Sequence, residues 1–566
     1  MPYVAPLRDT CFLLDHVVGA DMLAGTDRFA EAGADLRDAV LAEAGRVATE
    51  VLAPLNRAGD IHPAWLDNGV VRTPPGFAEG YRALSEGGWI SVAAPPAHGG
   101  MGLPVTLQTA INDFASGACL ALQTCPLLVQ GQIEALAAHA EPALQATYLP
   151  KLISGAWSAT MNLTEPQAGT DVGALTTRAE PAGDGTYRIT GSKIYITYGD
   201  SDLVENVVHL VLARLPDAPP GTKGISLFLV PKRLPDADGR PGAANALRVV
   251  RLEHKMGLHG SPTCEMAYEG ATGWRVGAEH GGMAAMFTMM NNARLAVGVQ
   301  GVGVAEAATQ AALAHARERR QGPAPRSGTI VEHADVRRML ATMRAEVFAT
   351  RAIALATGVA IDMATATGEA GWAARAALLT PIVKAWGTEV GHAAAQTGIQ
   401  VHGGIGYVEE TGVAQYARDI RVAAIYEGTN GIQAMDLVGR KMADGGAEMH
   451  RLLGEIRAGA EAARPALPGL AAAVHAAAGE LADATDWLVA QGAEDRFAGA
   501  VPYLHAAARL LGAHHHLRAA RVAGGARAAL AAVYIQRCLP MNAGDLAHLR
   551  AGAEGLFALS ADELAT

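Results

Sequence analysis

The sequence predicts a mostly α-helical protein with a small all-β domain in its middle. Of the 566 residues, 50% are hydrophobic but only 5% are aromatic, because alanine is used heavily, and alanine favours helix over sheet. Between about 156 and 275 the pattern changes to short β-rich runs, such as 206–212 and 224–230, separated by Gly and Pro turn signals. A chain of this length exceeds one hydrophobic core, so we expect several domains.

The expected domain boundaries follow from these changes of pattern. Helical periodicity covers roughly 27–155 and returns near 280, where Met283, Phe287 and Met290 fall on one face of a helix. The predicted segments are an N-terminal extension (1–35), an N-terminal helical domain (36–156), a middle β domain (157–278), a helical-bundle catalytic domain (279–445) and a C-terminal helical extension (446–566).

Composition limits the classes of partner and the compartment. The formal net charge of −11 argues against a polyanionic partner such as nucleic acid. Five scattered cysteines without a CxxC spacing indicate free thiols in a reducing compartment. We find neither a signal-peptide pattern nor a run of about 20 uncharged apolar residues. The chain is therefore expected to be a cytoplasmic enzyme with no membrane span.

One carboxylate, Glu427, has the sequence surroundings of a general base. It lies in the run Ile-Tyr-Glu-Gly-Thr-Asn-Gly-Ile-Gln (425–433), between two hydrophobic residues and a helix start at Thr429. Hydrophobic neighbours would desolvate the carboxyl and raise its pKa towards neutrality. Gly428 would let a ligand approach the main chain, whose N–H can donate to a polarised oxygen. A glutamate here could otherwise simply interact with the helix N-terminus.

Three further segments occur with the Glu427 run, in an order that resembles the acyl-CoA dehydrogenase family. They are Met161–Val172, Gly191–Gly199, and Gln400–Tyr407 followed by Arg418-Asp419. The resemblance implies a helical N-terminal domain, a β-barrel-like middle domain and a C-terminal four-helix bundle. It also implies FAD-dependent conversion of an acyl-CoA to a trans-2-enoyl-CoA. In the family the glutamate abstracts the α-proton and flavin N5 takes the hydride. The thioester carbonyl is held by the backbone N–H of that glutamate and a ribityl hydroxyl.

Carried onto this sequence, the resemblance gives a set of expected cofactor contacts. Thr164 would contact the flavin ring edge, and Tyr195 stands where the family more often has Trp, although an aromatic in a strand is usually in the core. Arg319 would reach the FAD pyrophosphate of a neighbouring subunit, unless it is a solvated charge at a helix end. The expected FAD contacts are Met161, Leu163, Thr164, Gly169, Thr170, Tyr195, Thr197, Arg319, Gln400, Gly403, Gly404 and Thr429.

The same resemblance gives expected substrate contacts at Asn291, Arg294 and Gly428. Arg294 would lie on the CoA pantetheine or among acidic partners near the base, or would form an internal salt bridge. Asn291 stands where the family often has Asp. Some family members place the base at the position of Ala293, which cannot serve here.

Two other patterns suggest binding motifs but have simpler explanations. The glycine run 298–303 lies inside a helical pattern, which indicates close helix packing rather than a dinucleotide site. His514–His516 are adjacent on a helix and therefore point in different directions, so no metal site is predicted.

The extension 446–566 contains ten Arg and no Lys against twelve Asp or Glu, so it is not a basic arm. It resembles the extra helical domain of a longer subgroup, which includes the 3-methylmercaptopropionyl-CoA dehydrogenases. The substrate is therefore expected to be 3-methylmercaptopropionyl-CoA or another acyl-CoA. The extension should cover the catalytic domains without supplying catalytic groups. It should restrict the assembly to a homodimer, and a dimer of dimers is the alternative.

The family resemblance leaves the electron acceptor open. An electron-transfer flavoprotein is expected, and an acyl-CoA oxidase using O2 is the close alternative. A non-enzymatic, nucleic-acid-associated relative is a further alternative, which the retained Glu427 and the mild acidity of the extension oppose.

Overall fold

The computed structural model describes residues 3–324 and 326–565, and helices dominate outside a central β region. The helices are α1 Leu7–His16, α2 Asp21–Ala24, α3 Ala34–Val47, α4 Leu55–Ile61, α5 Phe77–Glu86, α6 Val105–His139, α7 Pro142–Ile153, α8 Gly282–Glu318, α9 Ala334–Thr367, α10 Ala370–His402, α11 Val413–Ile420, α12 Asn430–Gly439, α13 Ala447–Ala463, α14 Pro468–Ala490, α15 Ala493–Ala498, α16 Ala500–Ala523, α17 Gly525–Val533 and α18 Asn542–Arg550. The strands are β1 Trp65–Asp67, β2 Val70–Arg72, β3 Trp157–Asn162, β4 Arg178–Pro181, β5 Tyr187–Thr197, β6 Asn206–Arg214, β7 Ile225–Pro231, β8 Arg233–Pro235, β9 Pro241–Ala244, β10 Leu247–Leu252 and β11 Thr263–Val276.

The described residues form two compact units. The first, called the bundle unit here, comprises 3–45, 104–117, 294–324 and 326–565. The second, called the barrel unit, comprises 46–103 and 118–293. The long helices α6 and α8 each contribute residues to both units.

The strands of the barrel unit close on themselves. β11 pairs with β5, β5 with β4, β4 with β6, β6 with β7, and β7 returns to β11. β6 and β7 are buried along nearly their whole length, which explains their continuous hydrophobic runs, whereas β5 and β11 alternate between buried and exposed positions. The predicted middle β domain is therefore present, with its core around Ile189, Val211 and Phe228.

A β-bulge in β5 turns one side chain out of this pattern. Cys264 of β11 pairs with Ile196, but Met266 pairs with Lys193, so β5 has one extra residue between the two pairs. Tyr195 lies in the bulge with φ 60°, and 63% of its surface is exposed. The alternative that Tyr195 belongs to the core is therefore wrong.

A short hairpin interrupts the segment 27–155, for which only helix was predicted. β1 and β2 pair antiparallel across Asn68 and Gly69, whose φ values are 49° and 82°. Two successive left-handed residues form a tight hairpin turn, and Asn-Gly is the sequence that best tolerates it. The Asn-Gly signal is only two residues long and lies inside a segment whose overall pattern is helical, so the periodicity alone does not predict the hairpin.

In the bundle unit, α8 and α10 pack with their backbones almost in contact. A Cβ on Gly298 would lie 2.4 Å from the Val383 carbonyl oxygen, and one on Gly301 would lie 2.0 Å from that of Gly387. Both distances are far below a normal contact, so only glycine fits. The interpretation of this glycine run as close helix packing is confirmed.

The first turns of α8 bury a different face from the one that carries Met283, Phe287 and Met290. Met283, Phe287 and Met290 are only partly buried, whereas Met286 and Met289 are fully buried. Both faces are apolar, so periodicity alone could not identify the one that packs inside.

The C-terminal extension shares one hydrophobic core with the bundle helices. Buried side chains of α9 and α12, such as Ile353 and Leu437, belong to the same cluster as Leu453 of α13 and Leu504 of α16. The two halves also share polar contacts, since His516 Nε2 lies 3.0 Å from the Ala345 carbonyl oxygen. The extension therefore covers the bundle, as predicted.

A charge network holds the N-terminal extension to the same unit. Asp9 on α1 pairs with Arg344 of α9 and with Arg527 of α17, the latter at 2.6 Å. Arg344 also pairs with the buried Glu306 at 2.9 Å, and Glu306 pairs with the buried Arg351 at 3.1 Å. Alternating charges thus connect α1 and α17 to the long helices α8 and α9.

Two helices, α6 and α9, are long and apolar enough to cross a membrane by length and composition. Their most apolar windows are 100% and 83% buried inside the protein, which is also the condition of core helices.

Candidate active site

Glu427 lies in a strained loop immediately before α12. Glu427 and Gly428 have φ values of 57° and 82°, and a left-handed conformation is uncommon for glutamate. A Cβ on Gly428 would also approach Gln433 Nε2 to 2.8 Å, so a larger residue there would displace the Gln433 side chain. Thr429 caps the helix by accepting the Ile432 N–H at 3.3 Å, which matches the predicted helix start.

Two side chains fix the peptide planes of this loop. Gln433 Nε2 donates to the Glu427 carbonyl at 3.1 Å, and Lys384 Nζ donates to the Gly428 carbonyl at 2.7 Å. Because a trans peptide is planar, the N–H groups of Gly428 and Thr429 point away from these donors. The loop therefore presents N–H groups on the side opposite Gln433 and Lys384.

The Glu427 carboxyl is partly buried beside two cations. Burial raises the pKa of Glu427 to about 7, against the opposing effect of the positive charges on Lys384 and Arg294. Burial likewise lowers the pKa of Lys384 to about 8, although Glu427 favours the charged form. A carboxyl with this pKa can take up a proton near neutral pH while remaining partly accessible.

Arg294 is 6% exposed and forms an internal ion pair near the base. Its Nη1 atom lies 3.6 Å from Asp436 Oδ2, and Asp436 also accepts from Arg440 at 2.6 Å. Burial lowers the pKa of Arg294, which Asp436 opposes. Arg294 thus forms an internal salt bridge and also lies near Glu427. The sequence presented these two possibilities as alternatives. On the same helix, Asn291 is exposed and Ala293 is buried.

The residues expected to contact flavin occur on two adjoining segments of the barrel unit. Ile194 N–H donates to the Thr164 carbonyl at 3.0 Å, and Thr160 Oγ1 donates to the Thr197 carbonyl at 2.8 Å. Thr164 and Thr197 are both partly exposed, as is Leu163. The remaining expected residues of this turn are Met161, which is buried, and Gly169 and Thr170, which are exposed.

A buried ion pair that sequence analysis missed holds this turn in place. Glu165 Oε1 lies 2.8 Å from Lys193 Nζ, which also donates to the Leu163 carbonyl at 3.0 Å. Thr176 and Thr177 donate to the same carboxylate through their backbone and hydroxyl groups. Although burial opposes it, Lys193 and these hydrogen bonds lower the pKa of Glu165 to about 2.

The residues expected to act across a subunit interface are exposed in the bundle unit. Arg319 follows the end of α8, Gln400 lies in the last turn of α10, and Gly403 and Gly404 follow that helix. No atom of the residues that the structure describes would lie within 4 Å of a Cβ on either glycine, so the backbone there is open to a ligand or a second chain.

The histidine run 514–516 of α16 lies inside the bundle unit. Burial lowers the pKa of His514 to about 3 and that of His516 to about 4. Across 3–324 and 326–565, no group of three or more His, Cys, Asp or Glu is placed to hold a metal ion.

Comparison with known proteins identifies the family. Models described as the N-terminal, middle and C-terminal domains of acyl-CoA dehydrogenase match residues 37–156, 160–271 and 280–443. A model described as acetyl-CoA dehydrogenase C-terminal like matches 452–560. The 3-methylmercaptopropionyl-CoA dehydrogenase of Ruegeria pomeroyi is 45% identical over 523 residues, covering 89% of this chain and 88% of that protein. The chain belongs to the acyl-CoA dehydrogenase family.

Other members of the acyl-CoA dehydrogenase family are similar over most of the chain. The broad-specificity linear acyl-CoA dehydrogenase of Mycobacterium tuberculosis is 37% identical over 80% of this chain and 78% of its own. Among solved structures, ACDH-11 of Caenorhabditis elegans in complex with C11-CoA has a TM-score of 0.79 at 21% identity, covering 92% of this chain and 89% of that one. The predicted family and fold class, including the extra C-terminal region, are confirmed.

Acyl-CoA dehydrogenases are FAD-dependent oxidoreductases, and the residues present here fit that cofactor. Within the described chain, the hydroxyls of Thr164 and Thr197 make no hydrogen bond to protein, so both can bind a ligand. A Cβ on Gly169 would meet no atom within 4 Å, which leaves the turn accessible. The exposed ring of Tyr195 adds an aromatic surface on the same strand as Thr197.

Proposed function

We propose that this protein is an FAD-dependent acyl-CoA dehydrogenase that uses Glu427 as its base to form a trans-2-enoyl-CoA. The observation that carries the proposal is a partly accessible carboxyl whose pKa burial raises to about 7. A general base is most effective when its pKa lies near the working pH. An ordinary surface glutamate would be far weaker as a base.

The main chain around Glu427 supports a role in binding the thioester. In the described chain no protein acceptor takes the Glu427 N–H, so it is available to the carbonyl oxygen of a substrate. A hydrogen bond there would stabilise the negative charge that develops when the α-proton leaves. Gly428 allows close approach, while Thr429 holds the helix start. Bound FAD supplies the hydride acceptor that no side chain can provide.

The expected cofactor and substrate contacts remain part of this proposal. Thr164, Tyr195 and Thr197, with their neighbours in the barrel unit, would bind the flavin, and Asn291 and Arg294 would contribute on the acyl-CoA side. Exposure of Arg319 and Gln400 in a single chain supports their use by a second copy, in a homodimer or a dimer of dimers. We also propose a cytoplasmic location, the five domains delimited by sequence, and restriction of the assembly by the extension.

We propose that the substrate is 3-methylmercaptopropionyl-CoA or another acyl-CoA. The relative from Ruegeria pomeroyi is named 3-methylmercaptopropionyl-CoA dehydrogenase, which supports the first of these. Loss of the visible flavin absorbance should be followed across a panel of acyl-CoA thioesters. We propose an electron-transfer flavoprotein as acceptor, and substrate-dependent oxygen uptake without added acceptor would instead identify an oxidase.

The base assignment is tested by Glu427→Gln, which keeps the size of the side chain but cannot accept the proton. We expect FAD content and acyl-CoA affinity to be retained while the rate of flavin reduction falls by at least about a thousandfold. Glu369→Gln, at an exposed position before α10, is the matched control and should reduce flavin normally. A Glu427→Gln variant that reduces flavin at the wild-type rate would contradict the assignment.

A further inference from the structure

A chain of polar contacts runs from the C-terminal extension to the loop that carries Glu427. It begins at His505 of α16, whose Nε2 atom lies at the ion-pair distance of 2.7 Å from Glu389 Oε2 on α10, outside hydrogen-bond geometry. The other oxygen of Glu389 accepts from Asn430 Nδ2 at 3.1 Å. Asn430 is the first residue of α12, three positions after Glu427. Every residue in this series of contacts belongs to the bundle unit.

Opposite charges fix the orientation of the Asn430 amide. Its nitrogen faces the Glu389 carboxylate, and its oxygen accepts from the Lys384 ammonium at 3.1 Å. Thr388 Oγ1 lies 3.2 Å from the same oxygen and 3.1 Å from the nitrogen, which also donates to the Ala385 carbonyl at 3.3 Å. Reversing the amide would place like partial charges together at both ends, so one orientation is strongly preferred.

Lys384 transmits this arrangement to the base loop. The same ammonium that donates to Asn430 donates to the Gly428 carbonyl, next to Glu427. The left-handed conformation of Glu427 is unfavourable for its own backbone, so contacts outside the loop must maintain it. The series of side-chain contacts from His505 to the Gly428 carbonyl provides such support.

Packing holds His505 in its place on α16. Its ring lies 5.6 Å from the Trp386 ring on α10, and the Arg509 guanidinium lies 5.1 Å above the same indole. Arg509 is held in turn by an ion pair to Asp545 of α18. The indole therefore packs against two side chains of α16 that lie one helical turn apart.

We propose that His505 and Glu389 are positioning residues through which the C-terminal extension holds the Glu427 loop in its working conformation. The proposal rests on the assignment of Glu427 as the base, and it adds a role in the chemical step for residues outside the catalytic segment. His505 touches neither the Glu427 carboxyl nor any reacting group. Its removal should free one oxygen of Glu389, loosen Asn430 and allow the loop to shift.

The test uses full-length, FAD-loaded His505→Ala, with His505→Gln and Glu389→Gln as variants of similar size to the native side chains. Hydrogen–deuterium exchange of peptides covering 425–433 measures the opening of the loop directly and independently of activity. Flavin-reduction rate, acyl-CoA Kd and the isotope effect with α-deuterated substrate read the chemical step. His475→Ala is the matched control, since His475 is a partly exposed histidine of the extension that lies 3.4 Å from Glu461.

For His505→Ala and Glu389→Gln, we expect faster exchange confined to 425–433 and a flavin-reduction rate about 10-fold lower, with little change in Kd. Displacements of about 1 Å in a catalytic group can reduce rates by up to about 100-fold. The isotope effect should be retained or increased, and His505→Gln should recover much of the rate by donating to Glu389. The control should match wild type in every measurement.

Unchanged loop exchange and rate in a folded, FAD-loaded His505→Ala protein would overturn the proposal. General destabilisation, with faster exchange throughout the bundle helices and no selective effect on 425–433, would also overturn it. Glu427→Gln measured in parallel separates the two claims. If that variant keeps its rate, the base assignment fails, whereas loop exchange in His505→Ala still reports on the contact chain.

Discussion

The pH dependence of flavin reduction should report the pKa of Glu427. Only the ionised carboxylate can accept the α-proton, and a pKa of about 7 makes the ionised fraction about one-tenth at pH 6 and about nine-tenths at pH 8. The ratio of the flavin-reduction rate to the acyl-CoA Kd, which reflects the free enzyme, should therefore rise about tenfold over this range. With an ordinary glutamate pKa near 4.3, the same ratio would change by only about 2%.

Lys384→Met is the perturbation that tests the cause of this pKa. The Lys384 charge favours the ionised form of Glu427, so its removal should move the midpoint of the profile to higher pH. The plateau rate should also fall, because the hydrogen bond to the Gly428 carbonyl is lost. The midpoint and the plateau are separate quantities, so the electrostatic and positional effects can be distinguished.

Rapid-mixing measurements of flavin absorbance between pH 5.5 and 9, with a substrate that does not titrate in this range, would supply both quantities. Lys223→Met, which removes an exposed lysine of the barrel unit, is the control and should leave the midpoint unchanged. A wild-type profile flat from pH 6 to 8 would refute the desolvation of Glu427. A midpoint that moves to lower pH in Lys384→Met would refute the electrostatic role of Lys384.

Two further predictions concern buried charges away from the base. Lys193→Met leaves the Glu165 carboxylate buried without its cation, so we expect a loss of about 3–5 kcal/mol in stability and weaker FAD retention. Thermal melting and FAD content check this, and a melting temperature equal to that of wild type would contradict it. Asp9→Asn removes the carboxylate shared by Arg344 and Arg527 and should lower the melting temperature and increase proteolysis near the N-terminus. The exposed Asp562→Asn serves as its control, and equal behaviour of the two variants would show that the network adds no stability.

The features that were predictable from sequence are those encoded over short distances in the chain. The helix start at Thr429 depends on residues within one turn, and the packing of Gly298 depends on glycines repeated along one helix. The hydrophobic runs of β6 and β7 likewise identify buried strands without knowledge of their partners. By contrast, the bulge at Tyr195 arises from the pairing of β5 with β11, which lies about 70 residues further on in the sequence.

The supporting charges of the site could not be assigned because their partners are distant in sequence. Lys193 and Glu165 are 28 residues apart, and Lys384 and Gly428 are 44 apart. Some signal was present, since Lys193 occupies an inward position of β5 and Lys384 lies in an apolar stretch of α10. A lysine at such a position must be paired or neutral, but sequence alone does not identify its partner.

On the proposed assignment of Glu427, a strained loop and a single continuous core give the C-terminal extension a role at a site to which it contributes no reacting group. As a general base, Glu427 needs a raised pKa, and this requires burial. It also needs to be accessible to substrate, and this limits how tightly its loop can be packed. The loop therefore depends on polar contacts from α10 and α12, among them the hydrogen bonds of Lys384 and Gln433 to its carbonyl groups and that of Asn430 to Glu389. His505 occupies the outer end of that chain, and its own helix belongs to the hydrophobic core of the bundle. The extension is thus a structural part of the catalytic unit rather than a detachable cover.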